Sequence, residues 1–352
     1  MNERIPVQVI PVPVGESPRD THARPLRDLR ISVIDRCNFR CPYCMPEDQF
    51  ADDAVFLSKD QRLRFEEIER IARAFARLGV RKLRLTGGEP LLRRELPQLV
   101  RMLRAIPGID EIAMTTNGVL LPRLAPALRA AGLSRLTVSL DTLDPATFRT
   151  LSGGRGEVGE VLAGIAAAEA AGFGPLKINC VVMRGVNDAQ TCDLLAHFRG
   201  SGHIVRFIEY MDVGTLNQWR DRLVVPSAEL RARIAERWPL RPLEPNYHGE
   251  VATRYGFADG EGEVGFISSV SQPFCGDCSR ARLSADGRMY TCLFAREGHD
   301  LREPMRAGAS DDELAQLVAA RWARRGDRYS ELRAELRARG DGRKVEMFTI
   351  GG

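Results

Sequence analysis

Lysine is scarce in this chain, and its scarcity limits which cations are available. Of the 51 basic residues only Lys59, Lys82, Lys177 and Lys344 are lysine, and all the others are arginine. A GC-rich genome that places arginine on the protein surface would account for this bias without any functional meaning. Alternatively, lysine persists where a compact point charge is needed in place of a planar guanidinium. Both explanations stay open for Lys82 and Lys177.

Long apolar runs, basic blocks and a secretory leader are also missing. No apolar stretch reaches the roughly 20 residues that cross a bilayer, and Glu3 and several prolines precede any hydrophobic segment. Without a basic block, binding to nucleic acid is not expected. Eight cysteines in 352 residues, without a leader, indicate the reducing cytoplasm and metal or redox use rather than a disulfide framework.

The most informative absence is a fourth cysteine in each of two cysteine groups. A structural zinc ion takes four ligands, whereas a four-iron cluster held by three thiolates leaves one iron free to bind another molecule. Zinc is the alternative at both groups: His299 could complete a site in the second group, whereas the histidine nearest to the first group, His22, lies in the presumed N-terminal arm. The first group has the spacing C-x3-C-x2-C and consists of Cys37, Cys41 and Cys44. The second group has the spacing C-x2-C with a more distant third cysteine and consists of Cys275, Cys278 and Cys292.

Short apolar segments alternate with longer segments of helical periodicity from about residue 29 to residue 208. Such alternation implies βαβ units with right-handed crossovers and therefore a parallel sheet. Six units are fewer than the eight of a closed barrel, so we predict an α/β fold with a partial, open (βα)6 TIM-like barrel. The predicted strands are 29–34, 83–86, 112–116, 136–140, 178–182 and 205–208, and the predicted helices are 65–78, 95–105, 121–131, 158–171 and 188–199.

Beyond about residue 215 the alternation stops, which predicts a second region. Its expected elements are a short helix at 226–237, a Pro/Gly-rich stretch at 239–262, a hairpin at Asp286-Gly287 and a polar helix at 311–325. The prolines near the N-terminus show no amphipathic pattern. We therefore predict a flexible arm over 1–25, the partial barrel over 26–215, and a C-terminal region over 216–352 that closes the barrel mouth.

Residues suited to ligand binding or catalysis follow the predicted strands. Cys37 comes after the first strand, Gly87-Gly88-Glu89-Pro90 after the second, Asn117-Gly118 after the third and Asp141 after the fourth. In parallel α/β folds, ligands bind at the carboxyl ends of the strands. The sequence therefore predicts one site at that edge of the sheet.

The first cysteine loop resembles the signature of the radical S-adenosylmethionine (SAM) enzymes, and the GGEP segment resembles their second-strand motif. The resemblance implies a [4Fe-4S] cluster whose open iron binds SAM, with Glu89 receiving the SAM ammonium and Tyr43 beside the adenine. For Met211, packing in the core remains the alternative. The implied SAM-binding residues are Tyr43, Gly88, Glu89, Thr115, Ser139 and Met211.

Further segments narrow the resemblance to the GTP 3′,8-cyclase family, from about residue 25 to the C-terminus. They are the Thr86–Arg93 segment, the Phe-Cys-Gly-x-Cys-Ser-Arg-x-Arg segment, Arg206-Phe-Ile-Glu-Tyr-Met-Asp and the terminal Gly351-Gly352. The family implies a second [4Fe-4S] cluster on Cys275, Cys278 and Cys292 that binds the purine, catalytic roles for Arg280 and Arg282, and a tail, Gly351 and Gly352, that enters the site. The implied GTP-binding residues are Arg30, Lys82, Arg84, Thr86, Lys177, Arg206, Arg280 and Arg282.

The resemblance also implies the reaction and the partners. A 5′-deoxyadenosyl radical derived from SAM would remove hydrogen from C3′ of GTP, C3′ would bond to C8 of guanine, and one electron and one proton would complete the product. This is the first step of molybdenum cofactor biosynthesis. A flavodoxin or ferredoxin would donate electrons, a cyclic pyranopterin monophosphate synthase would take the product, and the enzyme would be a cytoplasmic homodimer. The alternatives are a peptide-modifying radical SAM maturase and a zinc-stabilised nucleotide-binding module.

Overall fold

The architecture is an open barrel of parallel strands with helices on its outer face. The computed structural model describes residues 17–50, 54–340 and 342–351. Six parallel strands, each paired with the next, confirm the predicted partial barrel. These strands are β1 (Asp28–Ser32), β2 (Lys82–Thr86), β3 (Glu111–Thr116), β4 (Arg135–Ser139), β5 (Lys177–Val182) and β6 (Ile204–Glu209).

The helices between these strands agree with the predicted ones except for one that the periodicity missed. The missed helix is α4, a two-turn helix capped by Asp144, whose carboxylate accepts from the Thr147 amide at 2.8 Å. Its length is too short for a clear 3.6-residue period. The helices of this part are α1 (Phe65–Arg77), α2 (Leu96–Arg104), α3 (Leu121–Ala130), α4 (Pro145–Ser152), α5 (Val158–Ala170) and α6 (Thr191–Phe198).

The strands bury different chemistry on their two faces. Leu29, Ile31, Leu83 and Leu85 point outward into the fully buried core beneath the helices. The alternate residues face the barrel interior, because successive side chains of a strand point to opposite faces. On β1 to β4 the first of these inward residues is charged and the last is serine or threonine. The barrel interior is therefore a polar cavity. This explains why polar and apolar residues alternate along these strands, although parallel strands that are covered on both faces are usually apolar throughout.

The C-terminal region adds strands to both edges of the barrel and does not simply cover its mouth. β9 (Glu263–Ile267) pairs in parallel with β6, and β10 (Arg280–Leu283) pairs in parallel with β1. The segment 268–279, which carries two cysteines of the second group, connects these two edges across the opening. Its other elements are β7 (Leu240–Leu243), β8 (Thr253–Phe257), β11 (Arg288–Tyr290), β12 (His299–Asp300), α7 (Ser227–Arg237), α8 (Arg302–Arg306), α9 (Asp311–Ala323), α10 (Tyr329–Ala338) and α11 (Met347–Ile350).

Several elements of this region differ from the predictions. The stretch 239–262 contains β7 and β8, an antiparallel ribbon at the sheet edge where Pro242 is tolerated, and α10 was not predicted. The hairpin at Asp286-Gly287 is confirmed by the antiparallel pairing of β10 with β11. The helices predicted at 226–237 and 311–325 correspond to α7 and α9.

The last part of the predicted flexible arm is packed against the C-terminal region. Asp20 and Arg24 are buried, and the Trp322 indole donates to the Arg24 carbonyl at 3.0 Å. The Thr21 amide donates to the Arg325 carbonyl at 3.2 Å. The expectation of a flexible arm is therefore wrong for residues 17–25, while residues 1–16 lie outside the described part. Among the described helices, none has the length and apolarity needed to cross a membrane.

Candidate functional site

The first cysteine group lies on the loop after β1, which buried polar contacts hold in place. Buried Arg40 donates to the carbonyl oxygens of Cys37 at 2.8 Å and Phe39 at 3.0 Å. Asn117 donates from its side-chain amide to Asn38 at 2.8 Å. These contacts occupy the backbone of the loop and leave the three thiols of Cys37, Cys41 and Cys44 facing one cavity.

Two glycines after β2 fix the position of this loop. The Gly88 and Glu89 amides donate to the carbonyls of Ile34 and Arg36, each at 2.8 Å. A Cβ at Gly88 would lie 2.2 Å from the Arg36 carbonyl oxygen, and one at Gly87 would lie 2.4 Å from that of Ile34. The glycines are therefore required for contact between two protein backbones, the β2 turn and the cysteine loop.

Glu89 is a buried carboxylate that accepts no hydrogen bond from a cationic side chain among the residues that the structure describes. It accepts from the Thr116 hydroxyl at 2.7 Å and from the amides of Asn117 at 2.8 Å and Leu91 at 3.0 Å. Burial raises its pKa to about 7, although these three donors oppose the shift. A buried carboxylate with this environment favours binding of a cationic group from a ligand.

The remaining residues of the predicted SAM site line the same cavity. Tyr43 donates its hydroxyl to Asp141 at 2.6 Å, and Asp141 also accepts from the Val181 amide at 2.8 Å. Burial raises the pKa of Asp141 to about 6. The structure therefore brings together the full predicted set, which is Tyr43, Gly88, Glu89, Thr115, Ser139 and Met211.

The second cysteine group faces a second cavity and has strongly basic surroundings. Arg325 donates to the Cys278 sulfur at 3.0 Å and to its carbonyl at 2.6 Å, and Arg280 donates to the same sulfur at 3.3 Å. Burial alone would raise the pKa of the Cys278 thiol, but the two guanidinium groups outweigh it and lower the pKa to about 6. Cys275, Cys278 and Cys292 all line this cavity.

Three arginines form a row across the floor of the second cavity. Arg30 on β1 is in register with Arg84 on β2 and with Arg282 on β10. Burial and then repulsion from Arg282 and Arg84 lower the pKa of Arg30. Arg206 on β6 holds Asn179 through two bonds of 3.0 and 2.7 Å, and burial followed by repulsion from Arg84 lowers its pKa to about 9.

Repulsion between arginines is the next cause after burial of each of these lowered pKa values, which indicates a cluster of cations with too few anions of its own. Burial and repulsion from Arg280 likewise lower the pKa of Arg282 to about 10. A polyanionic ligand would relieve this repulsion and make bidentate bonds to the guanidinium forks. The cavity therefore suits a phosphate-rich ligand.

The two predicted lysines lie at the amino ends of the strands, below the arginine row. Lys82 pairs with Glu111 at 2.9 Å and lies 5.0 Å from the centre of the Tyr247 ring. It lines both the second cavity and a more open one beneath it. Lys177 lines the lower opening and not the second cavity, and its ammonium is 3.9 Å from Glu250. Thr86, which was also predicted to bind GTP, lines the first cavity and not the second.

Proton uptake at Lys177 is expected when a triphosphate binds. Burial, followed by repulsion from Arg206 and Arg135, lowers the Lys177 pKa to about 7, so at pH 8 this amine is mostly neutral. Nearby phosphates would raise the pKa again, and binding at pH 8 should take up close to one proton. Calorimetry of GTP binding in two buffers of different ionisation enthalpy measures the uptake. Lys177→Arg should abolish it, since arginine stays protonated; equal uptake in that variant would refute the assignment.

The C-terminal tail reaches the space between the two cavities. Arg282 donates to the carbonyl of Gly351, and Met347 lines both cavities. The tail is anchored upstream, where buried Lys344 donates to Asp212 at 2.8 Å and Asp212 also accepts from Tyr329 at 2.6 Å. Gly352 lies outside the described residues.

Gly351→Ala is expected to displace the tail. Gly351 has φ +73°, and a Cβ there would lie 2.1 Å from the Thr86 Cγ2 atom. Turnover should fall by about 100-fold, which is typical of a small misplacement near a reacting group, while SAM binding is retained. Gly185→Ala is the matched control, because Gly185 has the same φ but open space around it. Equal rates for the two variants would contradict a role for the tail.

The two cavities share one wall, so the cysteine groups face a common interior. Thr115, Asn179, Ile208, Met211 and Met347 line both. Each cavity is lined by one group of three thiols, and the arginine row lines the cavity of the second group. A ligand on the first group and a ligand on the second would therefore meet at this wall.

Sequence reasoning overlooked several residues that build the site. Arg325 follows α9 and reaches Cys278 from a distant part of the chain. Glu209 accepts hydrogen bonds from the amides of Val270 and Ser271, each at 2.8 Å. These bonds position the start of the segment 268–279, which connects the two edges of the barrel. Asp141 was predicted only as a residue that follows a strand, and the bonds from Arg206 to Asn179 were not predicted. Their partners are distant in sequence, so no local pattern indicated these contacts.

The structure does not support zinc completed by a histidine at either cysteine group. In the part of the chain that the structure describes, no three cysteine, histidine or carboxylate side chains come close enough to hold one metal ion. His22 is exposed and His299 lies on the edge strand β12, and neither lines a cavity with the cysteines. All six thiols are free, and burial raises the Cys37 pKa to about 12. Metal binding would be needed to deprotonate such a thiol.

Comparison with known proteins agrees with this geometry. The sequence model of the radical SAM superfamily matches residues 31–198 of this chain. The sequence model of the family Molybdenum Cofactor Synthesis C matches residues 203–331. A GTP 3′,8-cyclase of Xanthomonas campestris pv. campestris is 61% identical over 334 residues, which are 95% of this chain and 97% of that protein. A GTP 3′,8-cyclase of Acidothermus cellulolyticus is 58% identical over 320 residues, covering 90% of this chain and 88% of that protein.

Solved structures are similar in fold at much lower identity. SuiB of Streptococcus suis bound to S-adenosylmethionine is 17% identical, with a TM-score of 0.57 over 79% of this chain and 64% of that chain. SuiB bound to the precursor peptide SuiA is 15% identical, with a TM-score of 0.59 over 87% of this chain and 66% of that chain. At such identities the likeness extends to the fold alone.

Proposed function

Because this chain belongs to the GTP 3′,8-cyclase family of the radical SAM superfamily, we propose that it converts GTP to (8S)-3′,8-cyclo-7,8-dihydroguanosine 5′-triphosphate. This reaction is the first step of molybdenum cofactor biosynthesis. The cofactors are two [4Fe-4S] clusters and SAM. When bound, they supply the electron and the 5′-deoxyadenosyl radical that start the chemistry.

The observation that carries this proposal is the row of Arg282, Arg30 and Arg84 in the cavity that the second cysteine group lines. Guanidinium forks suit phosphate oxygens. Burial and then repulsion from Arg282 and Arg84 lower the pKa of Arg30, and a triphosphate would relieve that repulsion. Lys82 and Lys177 would serve as point charges toward the far end of the triphosphate. Arg206, held by Asn179, would bind on the same side.

The first cavity supports binding of SAM. Cys37, Cys41 and Cys44 would hold the first cluster, and Glu89 would receive the ammonium of SAM. Gly88 would present its backbone, Tyr43 would lie beside the adenine, and Thr115, Ser139 and Met211 would line the rest. Thr115 and Met211 also line the second cavity, so SAM held here would abut the nucleotide.

The second cavity would orient the guanine. Cys275, Cys278 and Cys292 would hold the second cluster, and its open iron would bind the purine. Arg280 and Arg282 would stabilise the electron density that develops when C3′ bonds to C8, since fixed cations in a buried site need no reorganisation during the reaction. Gly351 and Gly352 would limit the space beside Arg282, and Thr86 would support the tail from the opposite side.

Anaerobic product analysis tests the proposed function. Chain reconstituted with iron and sulfide is incubated with SAM, a reductant and GTP, and nucleotide products are separated. We expect 5′-deoxyadenosine and a cyclised nucleotide in equal amounts, with ATP as the matched control nucleotide. Absence of 5′-deoxyadenosine with GTP would refute the cyclase assignment. Turnover of a peptide substrate in place of GTP would favour a maturase.

The partners of the reaction follow from the same proposal. A flavodoxin or ferredoxin would donate the electrons, and a cyclic pyranopterin monophosphate synthase would take up the product. The functional unit would be a homodimer in the cytoplasm. Light scattering of the reconstituted protein measures its mass, and a monomer at working concentration would contradict the dimer.

A further inference from the structure

Arg325 makes an unusual contact for a buried arginine, because it donates directly to a cysteine sulfur. Its Nη2 atom lies 3.0 Å from the Cys278 sulfur, and its side chain is 2% exposed. The Arg325 guanidinium also lies 4.5 Å from the Trp322 ring centre, and its Nε donates to the Thr291 carbonyl at 3.1 Å. The guanidinium is thus held rigidly with one N–H aimed at a sulfur.

We propose that Arg325 is a positioning residue that raises the reduction potential of the second cluster relative to the first. A reduced cluster carries one more negative charge than an oxidised one. A cation and an N–H···S bond at a ligating sulfur therefore stabilise the reduced form. The couple takes up one electron from the reductant, and no bond forms or breaks.

The surroundings of the first group differ in this respect. Arg40 is also buried, but its guanidinium donates to the carbonyls of Cys37 and Phe39. The Cys37 sulfur accepts from the backbone amide of Phe39 at the longer distance of 3.4 Å. The two cysteine groups therefore differ in how positive charge reaches the sulfur atoms, and the first cluster serves as an internal control.

The segment before residue 25 supports Arg325 in this position. Buried Asp20 accepts from Arg325 at 3.1 Å and from the Arg24 Nε at 2.6 Å. Arg24 in turn donates to the Cys275 carbonyl at 2.7 Å. Asp20 thus offsets part of the positive charge beside the second cluster. Removal of Asp20 and removal of Arg325 should consequently have opposite effects on the potential.

Redox titration followed by electron paramagnetic resonance tests the inference on the holoenzyme. The signals are assigned with a variant that carries Cys37→Ser, Cys41→Ser and Cys44→Ser and so retains the second group. In Arg325→Gln the midpoint of the second cluster should shift to lower potential, and in Asp20→Asn to higher potential. Arg325→Lys, which keeps the charge, should shift the midpoint less than Arg325→Gln. The midpoint potential of the first cluster should stay the same in all of these variants.

An unshifted second midpoint in Arg325→Gln with full iron content would overturn the inference, as would shifts of the same sign in Arg325→Gln and Asp20→Asn. If the Arg325→Gln variant does not hold the second cluster, the Asp20→Asn variant provides the test. An unchanged midpoint potential of the second cluster in Asp20→Asn would then overturn the inference. The inference rests on the second cluster of the proposed function. Absence of a second-cluster signal in the unmodified chain would refute that function itself, which distinguishes the two failures.

Discussion

Replacing Cys275 with serine is expected to abolish cyclisation while SAM binding persists. The variant removes one of three thiols from the second cavity, whereas the first cavity has its own three thiols and Glu89. Loss of the second cluster removes the contact that would orient the purine. Since orientation of reacting atoms accounts for large rate factors, product formation should fall by more than roughly 100-fold.

Three measurements on the reconstituted variant check this expectation. Iron content should fall by half, SAM affinity should stay close to that of the unmodified chain, and the cyclised nucleotide should be lost. Cys192→Ser is the matched control, because Cys192 is a partly exposed thiol on α6 outside both groups. Equal loss of SAM binding and cyclisation in Cys275→Ser would contradict separate roles for the two cysteine groups.

Gly88→Ala should remove the first cluster and with it all turnover. The added methyl would lie 2.2 Å from the Arg36 carbonyl oxygen and 3.1 Å from the Cys37 amide nitrogen. Both atoms belong to the backbone of the cysteine loop and cannot move away as a flexible side chain could. The loop must shift, which breaks the 2.8 Å bond from the Glu89 amide to Arg36 and displaces the first thiol.

The outcome of Gly88→Ala is the reverse of that of Cys275→Ser. Iron content should again fall by half, but SAM binding should be lost and the signal of the second cluster should remain. Gly159→Ala on α5 is the matched control, since a Cβ there meets nothing within 4 Å and alanine favours a helix. Full iron content together with normal SAM affinity in Gly88→Ala would show that the close packing of the two loops is dispensable.

Local patterns predicted most of the barrel. The apolar segments and the helical periodicity between residues 28 and 209 correspond to β1–β6 and to α1, α2, α3, α5 and α6, with ends that differ by a few residues. α4 was missed because a two-turn helix has too few residues for a period. The strands β7 and β8 were missed because prolines and glycines at a sheet edge resemble a loop.

Site residues were predictable where a motif is contiguous. The spacing of the cysteines indicated metal binding, and the roles of the GGEP turn, Arg280 and Arg282 came from the resemblance of their short segments to family motifs. The contacts of Arg325, Glu209 and Asp20 were not predicted, because each of these residues has a partner far away in sequence. Asp20 in particular lies among prolines with no periodic pattern, yet it is buried between Arg24 and Arg325.

The sequence by itself determined which groups exist: two sets of three thiols, an excess of arginine, and strands that end at those groups. Only the tertiary structure decided how they combine. Pairing of β10 with β1 places Arg282 beside Arg30, and pairing of β9 with β6 brings the segment 268–279 across the open side. The physical reason is that strand alternation determines which face a side chain occupies, whereas the order of strands in the sheet determines its neighbours. The missing fourth thiols were visible from the start, but the common cavity between them depends on that order.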